Sequence, residues 1–279
     1  INDTIYALEP KIYGDRIVYS DTRNNNADIY MYDLTTGKET RITTNPEGQY
    51  GPVIYGDKIV WEDSRNYNNK ESRTPIFYGN TDIYMYDLST GKETQITTDK
   101  SDQLDPSFYN DKIVWADYRN SNWDIYMYDL STGKETQITT DRAVQSTPEI
   151  YDNKIGWADA KDNYDIYMYD ISTGQQIPIT TDKTSQAYPG IFGNIIVWED
   201  NRNGNWDIYM TTLSDPVTNK CEASQTPTEP LPPVQTLANP PQIISINPSV
   251  GMPNTKVTLT GSGFTATGNS INWGNQLNA

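Results

Sequence analysis

The stretch "DIYMYDLSTGKETQITT" fills residues 82–98 and returns letter for letter at 124–140, with "DIYMYDLTTGKETRITT" at 28–44. "DIYMYD" comes back at 165 and "DIYMTT" at 207. A chain that repeats itself this closely is repeating a unit of structure. Two other landmarks travel with the first. One is a proline, a short apolar pair and a turn: "PKIYGD" at 10, "PVIYGD" at 52, "PSFYND" at 106, "PEIYDN" at 148 and "PGIFGN" at 189. The other is a short run ending in a ring and an acid: "RIVYSD", "KIVWED", "KIVWAD", "KIGWAD" and "IIVWED". Their rings, Tyr19, Trp61, Trp115, Trp157 and Trp198, are 42, 54, 42 and 41 residues apart. Removing an insertion of 12 residues from the long interval restores the period, and that insertion falls within residues 66–80.

Each copy reads as four short strands. The first follows the proline, the second is "KIVW", the third "DIYMYDL" and the fourth "ETQITT". Gly, Asn and Asp cluster between them, as hairpin turns require. Alternation along "DIYMYD" points Ile and Met to one side and the two Tyr to the other. Both faces are therefore apolar or aromatic, which suits a sheet stacked between two neighbours. Repeated four-stranded units of this length are the signature of a β-propeller. The expected fold class is all-β: a five-bladed β-propeller over residues 1–223, with four-stranded blades. A Pro/Thr-rich linker follows at 224–240. The fifth copy has a weak fourth strand; residues 217–223, with Cys221 in the Ile slot, are expected to supply it, with the N-terminal "INDTIYA" as the competing donor.

Composition narrows the chemistry. The formal net charge is −16 and the pI about 4.3, which repels phosphate backbones, so a nucleic-acid partner is not expected. No apolar run reaches the roughly 18 to 20 residues of a membrane helix, so no span is expected in this chain. The 279 residues contain no histidine and one cysteine. Histidine-dependent triads, imidazole bases and His- or Cys-rich metal sites are thereby excluded.

The quoted repeats resemble the TolB-type propeller repeat; "NRNGNWDIYM" at 201–210 is the nearest copy of its central hairpin. Their near-identity most resembles repeat propellers of archaeal surface-layer-type proteins. "ISINPSVG", "VTLTGSGF" and "INWGN" in 241–275 resemble the start of an IPT/TIG domain, an Ig-like module of cell-surface chains. The second resemblance implies that residues 241–279 form part of an Ig-like β-sandwich, and together the two imply a surface or secreted chain. The expected function is non-enzymatic: envelope structure, adhesion, or binding of a protein or carbohydrate at the cell surface. The alternatives they imply are a polysaccharide-active enzyme or a periplasmic TolB-type adaptor. Propeller lyases, however, bring metal-binding histidines that this chain lacks.

Candidate sites follow from what repeats and what does not. The hairpin acids, such as Asp21 with Asp28 and Asp117 with Asp124, flank Asn-rich turns of a kind that can hold Ca²⁺. Each hairpin also carries a cation: Arg23, Arg65, Arg119, Lys161 and Arg202. The expectation is therefore a hairpin closed by Asp–Arg pairs, with Ca²⁺ as the alternative and no other cofactor. No catalytic or metal-binding set is expected. Residues flanking the strand-one proline vary between copies and are expected to line the inner mouth: Glu9, Gly51, Asp105, Thr147 and Tyr188 before it, Lys11, Val53, Ser107, Glu149 and Gly190 after it. The partner-binding candidates are Tyr67, Arg73, Phe77 and Tyr78 of the insertion, with Trp123 and Trp206 in surface-leaning hairpins.

Overall fold

The computed structural model describes residues 7–66, 79–213, 242–247 and 258–262. The chain divides into two compact units, Ile1–Thr218 and Asn219–Ala279. Every regular element among the described residues is a strand. Sheet 1 is the meander β1 (Ala7–Tyr13), β2 (Arg16–Asp21), β3 (Asp28–Asp33) and β4 (Lys38–Arg41). Sheet 2 repeats it with β5 (Gln49–Tyr55), β6 (Lys58–Asp63), β7 (Asp82–Asp87) and β8 (Lys92–Gln95). Sheet 3 is β9 (Gln103–Tyr109), β10 (Lys112–Asp117), β11 (Asp124–Asp129) and β12 (Lys134–Gln137). Sheet 4 is β13 (Gln145–Tyr151), β14 (Lys154–Asp159), β15 (Asp165–Asp170) and β16 (Gln175–Pro178). Sheet 5 has three described strands, β17 (Gln186–Phe192), β18 (Ile195–Asp200) and β19 (Asp207–Thr212). In the second unit, β20 (Gln242–Asn247) pairs antiparallel with β21 (Thr258–Ser262). The strand expected from residues 217–223 lies outside the described residues.

Alternation on the third strand decides how sheets stack. Val18 and Ile29 of sheet 1 bury against Ile54, Ile59, Trp61 and Tyr84 of sheet 2. The same pairing joins Val60, Ile83 and Met85 to Phe108, Ile113, Trp115 and Tyr126. It recurs between sheets 3 and 4 and between sheets 4 and 5. The repeat thus has a Val–Ile–Met face and an Ile–Trp–Tyr face, with Gly156 for Val in sheet 4 and Tyr19 for Trp in sheet 1, and at all four junctions one kind meets the other. First strands lie side by side, β1 on β5, β5 on β9, β9 on β13 and β13 on β17. Rings at their ends form a continuous arc, Tyr13–Tyr55–Tyr109–Tyr151–Phe192, with centroids 4.7, 4.8, 4.7 and 5.0 Å apart.

Within a sheet the repeated letters close on one another. Trp115 sits directly opposite Tyr126 and stacks on it at 6.1 Å. Its indole N–H donates to Asp117 at 2.8 Å. Asp117 in turn holds Arg119 through Nε at 2.9 Å and Nη2 at 2.6 Å. The guanidinium lies over the Tyr126 ring, 4.2 Å from its centroid. Asp63 with Arg65 and Asp200 with Arg202 repeat the arrangement. In sheet 1, Tyr19 replaces Trp and its hydroxyl donates to Glu39 instead, while Asp21 still pairs with Arg23. The Asp–Arg closure expected from sequence is present in four hairpins.

Two expectations change. The first strand begins three residues before the proline rather than after it. The fourth strand ends before "ITT", because a side chain takes over the ladder: Ile83 N–H donates to Thr97 Oγ1 at 2.8 Å, and sheets 1, 3 and 4 do likewise.

Sheet 4 lacks the arginine, and its hairpin is one residue shorter. Lys161 turns to Asp141 at 2.9 Å, and Asp159 keeps one buried oxygen without a partner. Burial, followed by the Asp141 charge, raises the Asp159 carboxyl above its ordinary range. The Arg202 side chain holds Asp200 well below it. Asp200→Asn should therefore cost about 1–3 kcal/mol at pH 7, and Asp159→Asn clearly less. The sign follows from linkage: a depressed carboxyl stabilises above its unfolded pKa and loses that as pH falls, while a raised one stabilises as pH falls. Urea unfolding of both variants at pH 7 and pH 3.5 should show the gap narrowing at the lower pH.

Candidate axial site

The residues that break the repeat meet where the first strands gather. Each pairing of first and second strand carries a register shift: between Leu8 and Lys11, Tyr50 and Val53, Val114 and Ala116, Ser146 and Glu149, Ala187 and Gly190. The bulged residues are Glu9, Gly51, Asp105, Thr147 and Tyr188, with φ of 56°, 57°, 54°, 50° and 51°. Only Gly51 adopts that conformation freely; the others store strain of order 1–3 kcal/mol each. Five copies of one bulge, four of them strained, re-aim four different side chains at equivalent positions of the first strands. The bulge sets the residue before the proline at the same step of every first strand.

Carboxylates link the bulges in sequence. Glu9 Oε2 accepts from Gly51 N–H at 2.8 Å and from Ser20 Oγ at 3.2 Å. Glu62 Oε1 accepts from Asp105 N–H at 2.7 Å. The Asp105 carboxylate accepts from the backbone of Thr147. One level along, Ser107 Oγ donates to Glu149 Oε2 at 2.9 Å. Charges are felt across the assembly: Lys11 of sheet 1 acts on Glu149 of sheet 4, and Glu9 on Asp105 of sheet 3.

Glu62, Asp105 and Glu149 keep accessible surface although protein crowds round them. They are enclosed but wet, as groups at a narrow mouth are. Crowding pushes Glu62 up to about 8, with the Asp105 charge adding to it. Burial also raises Asp105 and Glu149. The Tyr50 phenol rises through burial and the charges of Glu9, Glu47 and Glu62. Such a site attracts a cationic or hydrogen-bond-donating group and releases a proton when it takes one. Among the described residues no three carboxylates lie close enough together to hold a metal ion.

The other candidates separate. Tyr67, Arg73, Phe77 and Tyr78 lie outside the described residues. Trp206 is exposed in the sheet 5 hairpin. Trp123, expected at the surface, is half-buried: its ring packs 5.1 Å from Tyr118 and against the core between sheets 3 and 4. Glu62 was missed by the sequence reading. The signal was variation inside a fixed motif, where Ser20, Glu62, Ala116, Ala158 and Glu199 share one slot.

No protein-family model matches the sequence, and no curated protein matches it. Solved structures do. TolB from Acinetobacter baumannii is 22% identical, with a TM-score of 0.57 over 75% of this chain and 52% of that one. A putative TolB from Agrobacterium tumefaciens is 14% identical, with a TM-score of 0.58 over 75% and 77%. An oligogalacturonate lyase in complex with manganese is 15% identical, with a TM-score of 0.54 over 71% and 59%. The chain therefore spans about half of the first of these. The fold is that of a TolB-like β-propeller. At these identities the likeness is one of fold, and the same fold carries both TolB and enzymes.

Glu62 makes the stability of the chain pH-dependent. A folded pKa of about 8, above the unfolded carboxyl value, favours the folded state at low pH and weakens it as pH rises toward 8. The melting temperature should fall between pH 5 and pH 8, and Glu62→Gln should flatten most of that slope. An unchanged slope in the variant would show Glu62 to be ordinary.

Proposed function

We propose that this chain is a non-enzymatic binding module of a secreted or cell-surface protein. In this reading its five sheets are five blades of a propeller like those of archaeal surface-layer-type proteins, and residues 241–279 belong to an IPT/TIG-like Ig module. The blades serve as scaffold, and a protein or carbohydrate partner of the envelope is recognised by what departs from the repeat. The observation that carries this reading is that Glu9, Asp105, Thr147 and Tyr188 stand on equivalent strained bulges of adjoining first strands. Strain retained where side chains differ fits a site of recognition better than a site of packing. The insertion residues Tyr67, Arg73, Phe77 and Tyr78, with exposed Trp206, are proposed as further contacts, mixing rings and charge as recognition surfaces do.

A second reading, a polysaccharide-active enzyme, is favoured by one feature: Glu62 holds a proton near neutral pH, as a general acid must. A glycan array and a turnover screen on polyuronides separate the two. The binder should give saturable binding without turnover, weakened by Asp105→Asn and by deletion of residues 67–78. Turnover of any polyuronide that Glu62→Gln abolishes would replace this reading with the enzymatic one.

A further inference from the structure

Sheet 4 keeps the acceptors of the hairpin stack and lacks its donors. In sheet 3 two hairpin side chains donate: Arg119 to Asp117, and Asn120 to Asp124 at 2.8 Å and to the Tyr126 hydroxyl at 3.1 Å. At the corresponding places sheet 4 has Lys161 and Asp162. The frame around them is unchanged. Trp157 stands opposite Tyr167 and stacks on it at 6.2 Å, and Asp159 pairs with Asp165 across the strands. The Trp157 indole donates to Asp159 Oδ2 at 3.4 Å, as Trp115 does to Asp117 Oδ2, and Gln145 Nε2 adds a donor there at 3.3 Å. Asp159 therefore holds its carboxylate as Asp117 does. Its Oδ1 faces the side from which Arg119 reaches Asp117 Oδ1 with both Nε and the backbone N–H. Asp159 is fully buried, and that Oδ1 has no partner among the described residues.

The surroundings are correspondingly less covered. Tyr30, Tyr84 and Tyr126, each beneath an arginine, are buried, whereas Tyr167 is half-buried; Asp165 is half-buried where Asp28, Asp82 and Asp124 are buried. Burial without those donors leaves Asp159 and Asp165 with raised proton affinity. An ammonium does not fill the place. Lys161 is two residues from Asp159, yet its Nζ goes to Asp141 and stands 4.9 Å from the Tyr167 centroid, with the side chain 44% exposed. A guanidinium fills it in the four other sheets, as a planar fork on the carboxylate lying over the phenol. It is also less strongly hydrated than an ammonium, which suits a desolvated acid. We propose that the hairpin end of sheet 4 is a binding site for a guanidinium group, the arginine side chain of a protein partner, which displaces Lys161 and lies on Asp159 and Tyr167 as Arg119 lies on Asp117 and Tyr126. The site is independent of the axial one and of whatever partner or reaction belongs there.

The full chain is melted in low-salt buffer with millimolar methylguanidinium, with methylammonium at the same concentration, and with a blocked Gly-Arg-Gly peptide. Methylguanidinium and the peptide should each raise the melting temperature saturably by a few degrees, and methylammonium should not. Asp159→Asn, which keeps the fold, should abolish the response. Lys161→Arg should abolish it too, and should itself raise the melting temperature, because the chain then supplies its own guanidinium. Acetylation followed by peptide mass reads the site directly: methylguanidinium should speed modification of Lys161 several-fold, by freeing it from Asp141, and leave the other lysines unchanged. An equal response to methylammonium would reduce the effect to charge screening on an acidic chain. A response that survives Asp159→Asn would place the cation elsewhere. A lower melting temperature in Lys161→Arg would show that the shorter hairpin cannot admit the fork. A response to methylguanidinium but not to the peptide would make the ligand a small molecule and remove the protein partner. Each of these four results overturns the proposal.

Discussion

In three of the five sheets the repeat is organised round one group of four side chains: indole stacked on phenol, guanidinium over the phenol, and a buried carboxylate joining indole to guanidinium. In sheet 2 this is Trp61, Tyr84, Arg65 and Asp63, with the rings 6.2 Å apart and the cation 4.0 Å from the phenol. An aromatic pair contributes about 0.5–1.5 kcal/mol beyond its burial, and a partly desolvated cation–π contact a similar amount. The ion pair within the stack has a fully buried carboxylate, so loss of the arginine would leave that charge uncompensated. It also fixes geometry, since a planar fork held by Nε and Nη2 permits one orientation of the hairpin. The same four letters build the hairpin and the core, which is why they recur together.

With the blade so determined, freedom is left where the stack does not reach. First strands lie at the far side of the second strand from the stack, and their register is broken by a bulge in every sheet. A bulge leaves its residue unpaired in the ladder and free to differ between copies. Carboxylates of one sheet then bond the bulge amide of the next, Glu9 to Gly51 and Glu62 to Asp105, and hold the strained backbone in place. The acids of the axial site are therefore partly structural. Their raised proton affinity follows from that work: a carboxyl enclosed to hold a backbone amide is desolvated by the enclosure.

Much of this was legible in the residues. The period of 42, the two apolar faces of "DIYMYD" and the pairing of hairpin Asp with Arg follow from alternation and charge. The bulge was not legible. A residue before proline is steered toward extended backbone, so Glu9, Thr147 and Tyr188 at positive φ run against the local rule, and only the sheet as a whole imposes it. Trp123 looked like a surface ring because its neighbours are polar. Its burial comes from Tyr118 and from the next sheet, both invisible to a linear reading. Glu62 sat inside a motif that seemed fixed, and its role appeared only when Asp105, 43 residues on, was found bonded to it.

A repeat array is close to one-dimensional, because each unit touches only its neighbours. Its stability is then a sum over interfaces, and the units at its ends differ from the rest in having one interface each. The sequence tells the two ends apart only weakly. Sheet 1 has exchanged Trp for Tyr19, a ring whose hydroxyl can reach Glu39, so its outer face has one more polar partner than the inner copies. Sheet 5 has kept Ile208 and Met210 unchanged. That face lies exposed, so sheet 5 keeps the apolar pattern of the inner sheets without the packing that stabilises them.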